Sequence, residues 1–360
     1  MSNLKRFLFG VLALPFALFT ACDNGGGKGD GLPFKEPLEQ SFNYCPSVIE
    51  EADGARYVYY CATKESGVVQ DHIYCRKGTK TSGGGYTWSE KTLVLAPRSY
   101  TEYFDAFHCC DPCVIKGEFV YNGETYSYLM AYTGNTSNIN NKVGLAVSKS
   151  LMSGWVALET PFVTYSGDAS HWGVGQPTLI SVDKKGTVQL IYSVGGTSTY
   201  QMSEQWDFSN LNSPVKISSS KVTEKGLTNL NGGIDYLSNV DMAFDETTSR
   251  YYAVSDCHPN PTDGEPHFVG SHFRVTYMTE KGTEFGASLA QSYGKSWLNL
   301  ATVGPNETGF PRNSNCAIVR DAYGRIRNSG EIEVFYSMSQ LGVGYEWTYR
   351  IYSYKIAVNE

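Results

Sequence analysis

Asp111-Pro112-Cys113-Val114-Ile115 begins the best-formed unit of a pattern that runs through the chain. An apolar strand start leads to a turn at Asn122-Gly123. A tyrosine-bearing strand follows, ending Tyr128-Leu129-Met130-Ala131-Tyr132-Thr133-Gly134. Val143-Gly144-Leu145-Ala146-Val147-Ser148 is a third strand, and Ser148-Lys149-Ser150 before Gly154-Trp155 closes the unit. Four further copies start at Cys45-Pro46-Ser47, Gln176-Pro177-Thr178, Val240-Asp241-Met242 and Ser314-Asn315-Cys316, a period of about 65 residues. A four-stranded antiparallel sheet fits each unit but cannot bury both its faces alone. Five such sheets packed radially can, and the packing protects their edges. The expected fold is therefore all-β, a five-bladed β-propeller over residues 33–360, in preference to a β-sandwich with coincidental spacing.

Composition agrees. Among 360 residues, 26 are Tyr and 37 are Gly, a helix-poor, turn-rich mixture. The net charge of −7 argues against nucleic acid as a partner. Lys5 and Arg6 precede the short apolar run Phe7 to Phe19, and Leu18-Phe19-Thr20-Ala21-Cys22 reads as a lipoprotein signal with Cys22 as the acylated residue. Residues 23–32 form a glycine-rich tether. The expected location is the cell envelope, on the outer membrane, held by the N-terminal lipid alone. Ordinary secretion is the alternative. In an oxidising compartment disulfides are allowed; Cys61 and Cys75 end successive strands and are a candidate cross-hairpin bridge.

Propeller topology predicts where chemistry sits. The starts of the first strands and the loops between second and third strands share one face. That face gathers Asp105, His108 and Asp111, the segment from Asp168 to Gln176, Asn239 and Asp241, Asn315, Asp71-His72, and the long loop with His258, Glu265, His267 and His272. All six histidines fall in or beside these segments.

At this point the sequence resembles the five-bladed propeller glycoside hydrolases, family 43 and its relatives. Asp111-Pro112, Tyr132-Thr133-Gly134 and Val143 to Ser150 with Gly154-Trp155 carry the resemblance. As a lipoprotein it resembles the polysaccharide-degrading machinery of gut Bacteroidetes. The resemblance implies inverting hydrolysis of a glycosidic bond by an acid and a base, with a third carboxylate tuning them. Asp111 matches the blade-two carboxylate. The matching blade-one position is Cys45, and the blade-three position is Gly175 or Gln176, so the family mechanism does not transfer whole.

The catalytic candidates are therefore Asp111, Asp105, His108 and Asp241, with His171, His258 or Glu265 as further acids. The substrate-binding candidates are His171, Trp172, Gln176, Tyr103, Asn239, His258, Asn315, Asp71 and His72, with Phe104 beside Tyr103. No cofactor is expected, and no metal: His258, His267 and His272 are irregularly spaced. No Ser-His-Asp or Cys-His arrangement is expected either. The expected partner is a carbohydrate. The alternative to hydrolysis is a propeller that binds glycan without cutting it; a structural or protein-interaction propeller is the third reading.

Overall fold

The structure is a computed structural model, and it describes residues 41–278 and 296–358. The signal segment, Cys22 and the tether lie outside the described residues. The chain starts with β1 (Ser41–Phe42), whose partner comes last. Blade one comprises β2 (Tyr44–Glu50), β3 (Arg56–Thr63), β4 (Asp71–Lys80) and β5 (Tyr86–Trp88), with β6 (Thr92–Leu95) also pairing β4. Blade two is β7 (His108–Tyr121), β8 (Glu124–Asn135), β9 (Lys142–Ser148) and β10 (Val156–Ala157). Blade three is β11 (Gly173–Ser181), β12 (Thr187–Gly195), β13 (Thr199–Asp207) and β14 (Val215–Lys221). Blade four is β15 (Asp241–Asp245), β16 (Arg250–Cys257), β17 (His272–Met278) and β18 (Trp297–Val303). Blade five holds β19 (Arg312–Ile318), β20 (Glu331–Ser339) and β21 (Thr348–Ala357). Its fourth strand is β1, parallel to β21 with Phe42 opposite Tyr349. The two ends of the chain thus close the ring through one sheet.

The hydrophobic core is five layers, one between each pair of neighbouring blades. Ile115, Leu129 and Leu145 meet Leu179, Val188 and Leu190 between blades two and three. Ile191 and Ile180 meet Met242 and Tyr251 between blades three and four. Each fully buried side chain of this size stabilises the fold by about 1.5–3 kcal/mol relative to exposure. Charge adds to the joint between blades one and five: Arg56 bonds Glu50 at 2.7 Å in its own blade and Glu333 at 2.6 Å in the next.

One device repeats in all five blades. Cys45, Asp111, Gln176, Asn239 and Asn315 each have φ between 46° and 50°, the left-handed region that non-glycine residues seldom adopt. Each lies where the inner strand bulges or begins. Four of them donate their backbone N–H to a side chain on the second strand of the preceding blade: Cys45 to Ser337, Asp111 to Cys61 Sγ, Gln176 to Thr133 and Asn315 to Asp256. The bulge turns each side chain to the channel mouth. This sharpens the sequence reading by one residue in two blades: the equivalent positions are Asn239 and Asn315, not Val240 and Ser314.

Beneath this ring the channel is stoppered. Buried Arg320 donates to the carbonyls of Met242 at 2.8 Å and Leu179 at 3.3 Å, lies 2.8 Å from Cys113 Sγ, and pairs with Asp241 at 3.2 Å. Space for about 40 Å³ is left between the ring and this plug.

The expected Cys61–Cys75 bridge is not formed. The β3–β4 register sets Cys61 opposite Ile73 and Cys75 opposite Tyr59, two residues out of step. Cys61 is instead bonded to Cys110 and ties blade one to blade two. Cys45, Cys75, Cys109, Cys113, Cys257 and Cys316 are buried free thiols.

Candidate functional site

Above the ring opens a basin of about 1090 Å³, on the face where strand starts and the loops after second strands meet. Its floor is the five left-handed residues. The walls come from Asp71 and His108 on one side, Trp172 beside them, and Glu265, Phe268, Tyr345 and Glu346 from the long loops of blades four and five. Phe42 and Tyr44 complete an aromatic wall; Tyr44 stacks on Tyr349 at 5.3 Å and 24°.

Asp111 is the floor's carboxyl. Burial raises its pKa, and the nearby Asp71 charge adds to this. Hydrogen bonds from Cys45 and Thr133 work against the shift. His108 is buried against Asp71, with Nδ1 2.8 Å from Asp71 Oδ2. The Asp71 backbone N–H also lies 2.9 Å from Nδ1. One ring nitrogen cannot serve both. An adjacent carboxylate favours a proton on Nδ1, so His108 donates to Asp71 and leaves Nε2 free to exchange protons. The other Asp71 oxygen is buried without a hydrogen-bond partner.

The floor's other side consists of amides. Gln176 Nε2 bonds Asn239 Oδ1, and Asn239 Nδ2 donates to Asp256 at 2.5 Å. Ser193 donates to Gln176 Oε1 at 2.9 Å. Asp256 is 1% exposed, and burial lifts its carboxyl to about 7. Blade three has no room for an acid at Gly175. A Cβ there would stand 2.6 Å from Thr133 Oγ1 and 2.9 Å from the Trp172 ring.

Several expected site residues are placed elsewhere. Asp105 is withdrawn from the basin: it accepts from Arg98 at 2.6 Å and from the Tyr132 hydroxyl at 2.7 Å, fully buried inside blade two. Asp241 lies under the floor, held by Arg320, by Thr178 at 3.0 Å and by the Ile318 N–H at 2.9 Å. Tyr103 is covered by the Arg98 guanidinium at 4.0 Å, and Phe104 stacks on Tyr132. His171 faces Tyr165 edge-on at 6.0 Å, and its Nδ1 is buried without a partner. His72 is buried with Nδ1 on the Gln70 carbonyl, and burial lowers its pKa. His267 pairs with Glu265 on the exposed rim, whereas His272 bonds Ser271, so the loop histidines have separate partners. Cys45, Cys61, Cys110 and Asp111 offer ligand atoms within 4.8 Å of one another. Two of those sulfurs are bonded to each other and cannot ligate a metal as thiolates.

His258 brings a correction. Its Nδ1 lies 2.7 Å from Asp235 and its Nε2 3.1 Å from the Ser238 hydroxyl. A Ser-His-Asp arrangement is therefore present although none was expected. Twenty residues separate Ser238 from His258, and only the fold brings them together.

No protein-family model matches the sequence, and no curated protein matches it. Solved structures do match. An α-L-arabinofuranosidase from Lactobacillus brevis superposes with TM-score 0.57 at 8% identity, covering 90% of this chain and 93% of that one. A family 117 glycoside hydrolase from Zobellia galactanivorans gives 0.56 at 12%, covering 93% and 91%. A family 43 enzyme from Xanthomonas citri, complexed with xylotriose, gives 0.53 at 13%, covering 90% of each. The chain has the fold of the five-bladed propeller glycoside hydrolases.

Proposed function

We propose that the basin binds an oligosaccharide and cleaves a glycosidic bond. One observation carries this reading: the raised Asp111 carboxyl and the Asp71–His108 pair meet in one aromatic-walled basin. Asp111, which keeps its proton to higher pH than an ordinary carboxyl, serves as general acid to the leaving oxygen. His108, oriented by Asp71, takes a proton from water through Nε2. Trp172, Tyr44 and Tyr345 supply flat apolar faces for sugar rings. The roles differ from the family scheme because blades one and three offer Cys45 and Gly175-Gln176 at the matching places.

The test is turnover of aryl-glycosides and oligosaccharides. Asp111→Asn and His108→Gln should each lower kcat about 10²–10⁴-fold, with binding retained. Unchanged turnover in Asp111→Asn would remove it from the mechanism. The lack of space for an acid at Gly175 favours a second reading, glycan capture without cleavage; binding by the wild type with no turnover of any substrate would establish that reading.

The sequence from Lys5 to Cys22 supports a lipid anchor at the cell envelope as part of this proposal. Labelled palmitate should enter the wild type and not Cys22→Ser; equal labelling would refute acylation at Cys22.

A further inference from the structure

We infer that Asp235, His258 and Ser238 form a second centre, a serine-nucleophile site that hydrolyses a neutral, short-chain acyl ester. The connections run in one direction only. Asp235 is 3% exposed, and one oxygen accepts from His258 Nδ1 at 2.7 Å. Its other oxygen is paired with buried Arg274 at 2.8 Å and accepts the His258 backbone N–H at 3.2 Å. A carboxylate so paired stays ionised and fixes the proton on Nδ1. Nε2 is then a lone-pair acceptor, and the hydroxyl 3.1 Å away is Ser238 Oγ. Tyr236 lies flat on the imidazole, with centroids 4.1 Å apart and planes at 17°, and holds the ring in plane. Such a set is recognised by its geometry and roles, since chain order differs among unrelated hydrolases.

Ser238 and His258 are only half-buried, so the hydroxyl is not sealed in the core. Blade five gives an internal contrast. Ser314 also precedes a left-handed floor residue, yet its hydroxyl is buried and has no hydrogen-bond partner. The segment preceding Ser238 closes a small hairpin through Thr228 and Ile234, and Leu230 donates its N–H to the His258 carbonyl. That hairpin exposes Leu230, Ile234 and Tyr236. An exposed apolar lip beside a nucleophile suits an uncharged acyl group.

The step balances without a cofactor. Ser238 Oγ bonds to the ester carbonyl carbon as its proton passes to His258 Nε2. The carbon–oxygen bond to the alcohol breaks, and the alcohol leaves with that proton. Water then gives a proton to Nε2 and its oxygen to the acyl carbon, and Ser238 leaves reprotonated.

The test treats the full chain with a fluorophosphonate and locates the adduct by peptide mass spectrometry. Stoichiometric modification of Ser238 is expected, together with hydrolysis of p-nitrophenyl acetate. Ser238→Ala, checked for an unchanged Tm, should lose at least about 10³-fold of that hydrolysis, and Asp235→Asn should slow labelling. A folded wild type that takes no label at Ser238, or hydrolysis that survives Ser238→Ala, would overturn the proposal. Neither result depends on glycoside turnover, so the two functional readings stand or fall separately.

Discussion

The two sides of the basin floor are built on one backbone device and end with opposite chemistry. At blades one and two the left-handed positions hold a thiol and a carboxyl, Cys45 and Asp111, beside Asp71 and His108. At blades three to five they hold Gln176, Asn239 and Asn315. On the first side the titratable groups have partners that move protons or leave lone pairs free. On the second, Gln176 and Asn239 are committed to each other, to Ser193 and to Asp256. Repeat symmetry thus supplies five equivalent places, and local partners decide which of them are reactive.

The joint under the reactive side is covalent. The Cys61–Cys110 bridge spans 49 residues, and closing a loop of that size in the unfolded chain is worth about 4 kcal/mol. Replacing both cysteines by serine should lower stability by about that amount, read from denaturant midpoints. A change below about 1 kcal/mol would mean that inter-blade packing alone fixes the reactive side. The amide side should show no comparable single loss.

The difference in how legible the two sides were has a physical cause. Strand starts, turns and the fivefold repeat follow from apolar spacing and turn residues, which are local signals, and they placed the floor to within one residue. Asp111 and the basin's position were readable for that reason. Asp105 and Asp241 were not readable as structural, because their partners, Arg98 and Arg320, are set by tertiary packing. Cys61 was paired wrongly because register inside a hairpin is invisible in a tyrosine-rich strand. The Asp71–His108 pair joins two blades, and Asp235–Ser238–His258 joins a loop to the end of β16; neither leaves a spacing signature.

The amide side has its own titratable group, Asp256, and its pH dependence runs opposite to that of a salt-bridged carboxylate. Its folded pKa of about 7 exceeds the unfolded value of about 3.9. Between the two, the folded state holds a proton that the unfolded state has released. Its contribution to stability is therefore complete below about pH 4, declines as pH rises, and levels off above about 7. At about 1.4 kcal/mol per pKa unit the decline reaches about 3–4 kcal/mol. Asp256→Asn should flatten this part of the stability–pH curve, measured as the difference from wild type. Parallel curves would mean that the Asp256 carboxyl is not held protonated in the folded state.

The smallest expected effect separates the two sides functionally. Gln176→Ala removes the amide that joins Ser193 to Asn239, leaving buried acceptors and donors without partners at a cost of about 1–3 kcal/mol. Gln176 shapes the floor and transfers no proton in the proposed reaction, so its loss should loosen substrate binding and spare the chemical step. The expected signature is a KM raised about 3–10-fold with kcat nearly unchanged, against the kcat loss expected of Asp111→Asn. Should Gln176→Ala lower kcat as far as Asp111→Asn does, the division of the floor into a reactive side and a positioning side would fail, and the amide chain would have to belong to the reacting machinery.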